Sequence, residues 1–107
     1  HINEMKSLLS RFSGVKFIFD DVKQKYYPVL RDAITSFRSK NEGKPLVVID
    51  DTPFIDFDIL DYPVNDIEEI FLLKGSDAAI WGPKASNGII VIITQRGKST
   101  KIEQKEE

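Results

Sequence analysis

The sequence predicts an α/β (α+β) domain, a small mixed β-sheet of about four strands with flanking short helices, and three observations carry that expectation. Gly88 to Thr94 is an almost unbroken run of β-branched apolar residues of strand length, the pattern of a strand covered on both faces, so it belongs at the centre of the sheet. The residues before it are tightly punctuated. Lys74-Gly75 ends an apolar run, Ser76 stands where it can N-cap one or two helical turns through Trp81, and Gly82-Pro83 stops them. Finally, strand-like runs alternate with helical or turn-like segments along the chain, the order of elements that layers helices on a mixed sheet.

Taken in order, Ile2, Met5, Leu8, Leu9 and Phe12 recur at helical spacing and Ser13-Gly14 follows, which predicts a helix over Asn3 to Phe12 whose apolar stripe packs on the sheet. Val15, Phe17 and Phe19 alternate with Lys16 and Ile18 as a half-buried strand ended by Asp20-Asp21. Tyr26 to Ser39 supports two readings. Pro28 in a first helical turn, with Leu30, Ala33, Ile34 and Phe37 behind it, argues for a helix closed by Asn41 to Gly43, and a strand near Val29-Leu30-Arg31 is the alternative that a family resemblance implies. Leu46 to Ile49 reads as a second buried strand, released by Asp50-Asp51-Thr52-Pro53 into an acidic and aromatic loop through Asp61. Pro63 to Asp66 can form one helical turn, Ile67 to Leu73 a third strand, and the residues after Gly97 are polar. Residues 1–97 are therefore expected to form the domain and 98–107 a tail or linker.

Composition bounds the function. With 107 residues and 41% hydrophobic content, one domain with its own core is expected. The chain has no Cys, which excludes disulfides, thiolate metal sites and a Cys nucleophile. No apolar run approaches the ~20 residues of a transmembrane helix. A net charge of −2 points to neither nucleic acid nor an anionic membrane as partner. The charge is nonetheless segregated. No Lys or Arg lies between Lys44 and Lys74, where Asp50, Asp51, Asp56, Asp58, Asp61, Asp66, Glu68 and Glu69 all fall, and nine of the fifteen basic residues precede Ile49.

Catalysis finds little foothold. The single His is the first residue, so neither a Ser-His-Asp relay nor a multi-His metal site can be assembled, and no cofactor is expected. Gly75 to Ser86 fails as a phosphate loop, because its glycines are seven apart and Pro83 precedes Lys84. Asp56, Asp58 and Asp61 offer oxygen ligands to a calcium ion, but lack the turn Gly and terminal Glu of an EF-hand, and a water-facing loop is the default reading.

Several stretches together carry a resemblance. Leu73-Lys74-Gly75, Trp81-Gly82, Pro83-Lys84-Ala85-Ser86-Asn87-Gly88-Ile89-Ile90 and Thr94-Gln95-Arg96-Gly97, preceded by Pro45-Leu46-Val47-Val48-Ile49-Asp50-Asp51 and Asn65-Asp66-Ile67-Glu68-Glu69-Ile70, resemble in order and spacing the plug domain of TonB-dependent outer-membrane transporters. Gly75, Trp81, Gly82, Asn87 and Gly88 are the hallmark positions of that match, with Trp81 where the family has Tyr, Lys84 where it has Arg, and Asp32 where it has Gly.

The resemblance implies a plug-domain-like fold without catalytic activity, at the periplasmic side of the outer membrane. It would be lodged in a β-barrel of the same chain or of another outer-membrane protein, and coupled to a TonB-type energiser through a segment not in this chain. The substrate would be a large nutrient: an iron chelate, cobalamin, glycan or peptide. The start at His1, without Met, fits a piece of a longer chain. Arg31 and Lys84 occupy positions that the family uses against the barrel wall, an ordinary solvated cation being the alternative for each. The loop bearing Asp51, Phe54, Asp56, Phe57, Asp58 and Asp61 is expected at the substrate-facing or partner-facing end. Lys84 in place of Arg and Asp32 in place of Gly leave a second reading open, a plug-like interaction module of a barrel-less periplasmic or surface protein.

Overall fold

A computed structural model describes residues 2–30 and 43–96. Helix α1 (Ile2–Leu9) is shorter than its periodicity predicts. The amides of Arg11 and Phe12 bond the carbonyls of Leu8 and Leu9 at 3.3 and 3.1 Å, so the last turn tightens to i→i+3 geometry before Gly14 (φ 83°) reverses the chain. Among its described side chains, Met5 and Leu9 are fully buried.

Strands β1 (Val15–Asp20) and β2 (Lys25–Leu30) form an antiparallel hairpin in register from Val15↔Leu30 to Asp20↔Lys25. Of the two readings of this stretch, residues 25–30 take the strand. The hairpin is a two-stranded sheet beside the four-stranded mixed one. Pro28 fits because β2 has one neighbour, so half of its N–H groups lie outside any ladder. The remainder of the ambiguous stretch, including Arg31 and Asp32, lies outside the described residues, as does the tail after Arg96.

The main sheet is mixed and runs β4-β3-β6-β5. Its strands are β3 (Leu46–Ile49), β4 (Thr52–Phe54), β5 (Ile67–Leu73) and β6 (Ile89–Thr94). Strand β6 is central as predicted, parallel to β3 and antiparallel to β5, with Ile89, Ile90 and Ile92 wholly buried. Because successive side chains alternate, the sheet feeds two cores. On one face Val47, Ile90 and Ile92 meet Met5, Leu9, Leu30, Ile59 and Leu60. On the other, Leu46, Val48 and Ile89 meet Ala78 and Ala85 from the short helical turns, with Trp81 and Leu73 packed alongside.

Strand β4 lies where the sequence reads as loop. Asp50 and Asp51 both take positive φ (48° and 71°) between the paired residues Ile49 and Thr52, the geometry of a two-residue type I′ hairpin turn. In such a hairpin Ile49 and Thr52 close the ladder, so Pro53 sits at the next, non-hydrogen-bonded position and its missing N–H faces the free edge. That blunts the edge against pairing with another chain.

Helix α2 (Ser76–Ala79) begins one residue earlier than predicted: Ser76 is already helical, and the cap is Gly75, at φ 58° and ψ −132° and without a side-chain cap bond. Among the described residues no helix is long and apolar enough to cross a membrane.

Candidate functional site

The turn at Asp50-Asp51 sends β4 back toward the start of β3, so residues 55–61 arrive beside Lys44, which precedes that strand. Asp56 bends the chain at φ 57°, and the single 3₁₀ turn Ile59–Asp61 then buries Ile59 and Leu60 beneath α1 and β2. With its apolar residues anchored, this loop leaves Asp56, Asp58 and Asp61 at the surface facing the tip of the β1–β2 hairpin.

Three lysines meet them. Lys23 Nζ lies 3.2 Å from Asp56 Oδ1 and 3.2 Å from Asp58 Oδ1. Lys25 Nζ lies 2.6 Å from Asp61 Oδ2 and 3.7 Å from Asp58 Oδ2. Lys44 Nζ bridges Asp56 Oδ1 at 2.8 Å and Asp20 Oδ2 at 3.1 Å, and also sits 4.8 Å from the centre of the Tyr27 ring. Asp20 completes the lattice from inside: its Oδ1 accepts the amides of Val22 and Lys23 at 2.9 and 3.2 Å, shaping the hairpin loop. The Lys44 and Asp20 side chains are only 16% and 13% exposed, whereas the Lys23 and Lys25 pairs stand in solvent.

The shifts follow these contacts. The amide of Lys23 and the Lys44 ammonium hold the Asp20 carboxyl below its ordinary value, and Lys44, then Lys23, does the same for Asp56. Lys23 is raised by Asp56 and Asp58, and Lys25 chiefly by Asp61. Partial burial would lower Lys44, but Asp56 and Asp20 outweigh it and raise the group. Each of these groups is thus driven further from neutral pH. A general acid or base needs the opposite, so the lattice is built to stay charged rather than to exchange protons. The carboxylates weighed above as calcium ligands have ammonium partners.

Beyond the lattice runs an apolar strip. The Phe54, Phe57 and Tyr62 rings follow one another at centroid distances of 5.3 and 6.2 Å, with Ile55 62% exposed beside them. Tyr62 donates to Asp66 Oδ2 at 2.6 Å, and burial, reinforced by that carboxylate, pushes its phenol up to about 12. An open groove of about 430 Å³ runs along Phe54, Ile55, Asp56, Phe57, Asp58, Asp61, Tyr62 and Pro63. A second slot, of about 200 Å³, lies between Phe19, Tyr26 and Leu60 and ends at Lys25, Asp58 and Asp61.

The structure therefore gathers Phe54, Asp56, Phe57, Asp58 and Asp61 and leaves Asp51 apart, exposed in the turn at the other end of the β3–β4 hairpin. Lys84 is exposed on the 3₁₀ turn Pro83–Ala85, before β6, at the same end of the sheet as Lys44. Between them Asn87, buried, donates its Nδ2 to the Lys44 carbonyl at 3.4 Å, and Gly88 (φ 88°) offers its carbonyl to the Leu46 amide at 3.0 Å. Gly75 and Gly82 have open space where a Cβ would stand, so backbone conformation rather than close packing calls for glycine there. Trp81 is half-buried against the second core. The lysines were not singled out by sequence reasoning. Their signal was the charge segregation, which reads as two solvated segments until the fold brings them together across 35 and 36 residues.

No curated protein and no solved structure matches the chain. A family model does, the TonB-dependent Receptor Plug Domain, over residues 1–89. That span runs from α1 to the first residue of the central strand and takes in both hairpins, the clamped loop and the Asn87-Gly88 corner. The chain belongs to the plug-domain family of TonB-dependent receptors.

Proposed function

We propose that the chain is the plug-like domain of a TonB-dependent outer-membrane transporter, gating the uptake of a large nutrient of the iron-chelate, cobalamin, glycan or peptide class. The observation that carries this reading is the family match over residues 1–89. The plug family is a non-catalytic transporter component that sits in a β-barrel and contacts TonB. The geometry adds support in kind: a lattice of lysines paired with carboxylates, in which Asp20 and Asp56 are lowered and Lys23, Lys25 and Lys44 raised, lies beside an exposed apolar strip and suits a contact surface rather than a reaction centre. On this reading Phe54, Asp56, Phe57, Asp58 and Asp61 face substrate or partner, Lys84 faces the barrel wall, and the domain works at the periplasmic side of the outer membrane. Residues 1–97 would form the plug and 98–107 its linker.

The test is to delete residues 1–96 from the full reading frame and assay the cells. An ungated barrel predicts raised sensitivity to large antibiotics and loss of energiser-dependent uptake. Unchanged permeability, with growth on every candidate nutrient unaffected, would exclude a gating role.

A second reading, a plug-like interaction module of a barrel-less periplasmic or surface protein, draws on one observation. Asp20, Asp56, Asp58 and Asp61 are paired within the chain itself, so none of them needs a barrel wall for its counter-charge. Carbonate washing separates the two: a barrel protein stays with the outer-membrane pellet and a peripheral module is released.

A further inference from the structure

The hairpin divides at the Tyr26–Tyr27 peptide. On one side Tyr27, Val29 and Leu30 are buried and belong to the body of the domain. On the other, Val22 is 93% exposed, and Phe19 and Tyr26 pack edge-on against each other at 5.1 Å with roughly half their surface in water. Among the described residues, the tip from Phe19 to Tyr26 is thus held to the body mainly by charge: Lys23 and Lys25 on Asp56, Asp58 and Asp61, Asp20 on Lys44, and Lys6 of α1 over the Tyr26 ring at 4.6 Å. The void directly beneath this lattice is about 20 Å³, room for a single water, so the closed arrangement has no occupant larger than solvent. The 200 Å³ slot alongside is walled by members of the lattice itself, Lys25, Asp58 and Asp61.

We propose that the lysine–aspartate lattice is an ionic latch, and that residues 19–26 swing away from residues 55–61 as one unit while the four-stranded sheet stays intact. The hinge lies where burial begins, at Tyr26–Tyr27. Opening separates Phe19 and Tyr26 from Leu60 and converts the narrow slot into an accessible apolar surface. The physical basis is the contrast in screening. The exposed pairs of Lys23 and Lys25 lose their attraction at high ionic strength, when the Debye length falls to ~3 Å, whereas the largely buried Lys44–Asp20 pair is screened much less and apolar burial of Ile89, Ile90 and Ile92 does not weaken. The latch does not depend on the transport role, since it is set by contacts within the chain.

The experiment is residue-resolved amide exchange on the 107-residue chain in 20 mM and 1 M NaCl, with sucrose of equal osmolality as control. Amides of residues 19–26 are expected to exchange ~3–10-fold faster in 1 M salt, those of β3 and β6 to be unchanged, and sucrose to have no accelerating effect. The double variant Lys23→Gln with Lys25→Gln should exchange at low salt as the unaltered chain does at high salt, and lose the salt response. Three results would overturn the latch: no salt response at the tip, an equal acceleration in β3 and β6, or a double variant that keeps the unaltered chain's response.

Discussion

The four-stranded sheet and the β1–β2 hairpin sit side by side in one small domain and are stabilised by opposite physics. The sheet is closed by side chains from both faces of β6, and its corners are fastened by short-range polar contacts: Asp50 to Thr94 at one end, Asn87 to the Lys44 carbonyl at the other. The hairpin has a buried base and a tip whose charged side chains contact a loop more than 30 residues away in sequence. Apolar burial is insensitive to salt and steep in mutational cost, whereas exposed ion pairs are shallow and screened. A domain built from both can stay folded while one part of it lets go.

The comparison is tested first where the expected effect is largest. Ile90→Ala removes a fully buried side chain from the larger core and is expected to cost ~2–5 kcal/mol in urea unfolding, lost equally by sheet and hairpin probes because the base of the hairpin shares that core. A loss confined to the sheet would show that the two regions do not share a core. Next comes the corner at Asp50, whose Oδ1 accepts the Thr94 amide at 2.9 Å and whose Oδ2 accepts its hydroxyl. Asp50→Ala should cost ~1–3 kcal/mol, with faster exchange at Thr94 and none at the hairpin tip.

How much of this was legible depends on what kind of contact made each element. Strands β3 and β6 were readable because apolar β-branched runs declare a buried strand in any context, and β5, an edge strand only partly buried, was readable from its apolar end at Ile70 to Leu73. The glycine corners were readable because their conformations leave few alternatives. Strand β4 was not, since its three residues are exposed throughout and Pro53 argues against a strand until the I′ turn at Asp50-Asp51 places it on an edge. Strand β2 was obscured by Pro28, which suits a helix start and a one-sided ribbon equally well. The lattice was least legible of all. Local periodicity carries no information about which lysine meets which carboxylate across 35 residues, and the segregation of charge gave only the sign of the two partners.

The turn that hid β4 also provides a stabilising test. Asp51 holds φ 71° without the freedom of glycine, at a position where an Asp-Gly pair is the favoured I′ sequence. Asp51→Gly is expected to raise stability by ~0.5–1 kcal/mol, because relief of the left-handed strain outweighs the added freedom of the unfolded chain. Destabilisation would mean that the turn is not of the I′ type. Acid tests the lattice without mutation. The Asp20 and Asp56 carboxyls are depressed below their ordinary value of 3.8, so what they contribute is complete above that value and lost as pH falls through the lower folded values. Proton exchange at the tip should therefore loosen relative to β6 only below about pH 4. Lys23, Lys25 and Lys44 are raised above 10.5, so their contribution is whole below that value and lost as pH rises through the raised ones. Tyr62 adds to the alkaline loss, with its phenolate absorbing only near pH 12.

The smallest global effect carries the sharpest information. Lys25→Gln removes the 2.6 Å contact to Asp61 and the longer one to Asp58, both on side chains more than two-fifths exposed. Pairs of that kind barely change the total free energy of folding, so the urea midpoint should not move beyond experimental error. Exchange at residues 19–26 should nevertheless quicken, because local opening is governed by the few contacts that hold the tip rather than by the sum that holds the domain. The same substitution thus separates two quantities that are usually measured as one. A shifted midpoint would place Lys25 among the structural residues of the fold and remove the distinction between hairpin tip and sheet. An unmoved midpoint with faster exchange at the tip would establish that the lattice governs opening and not folding.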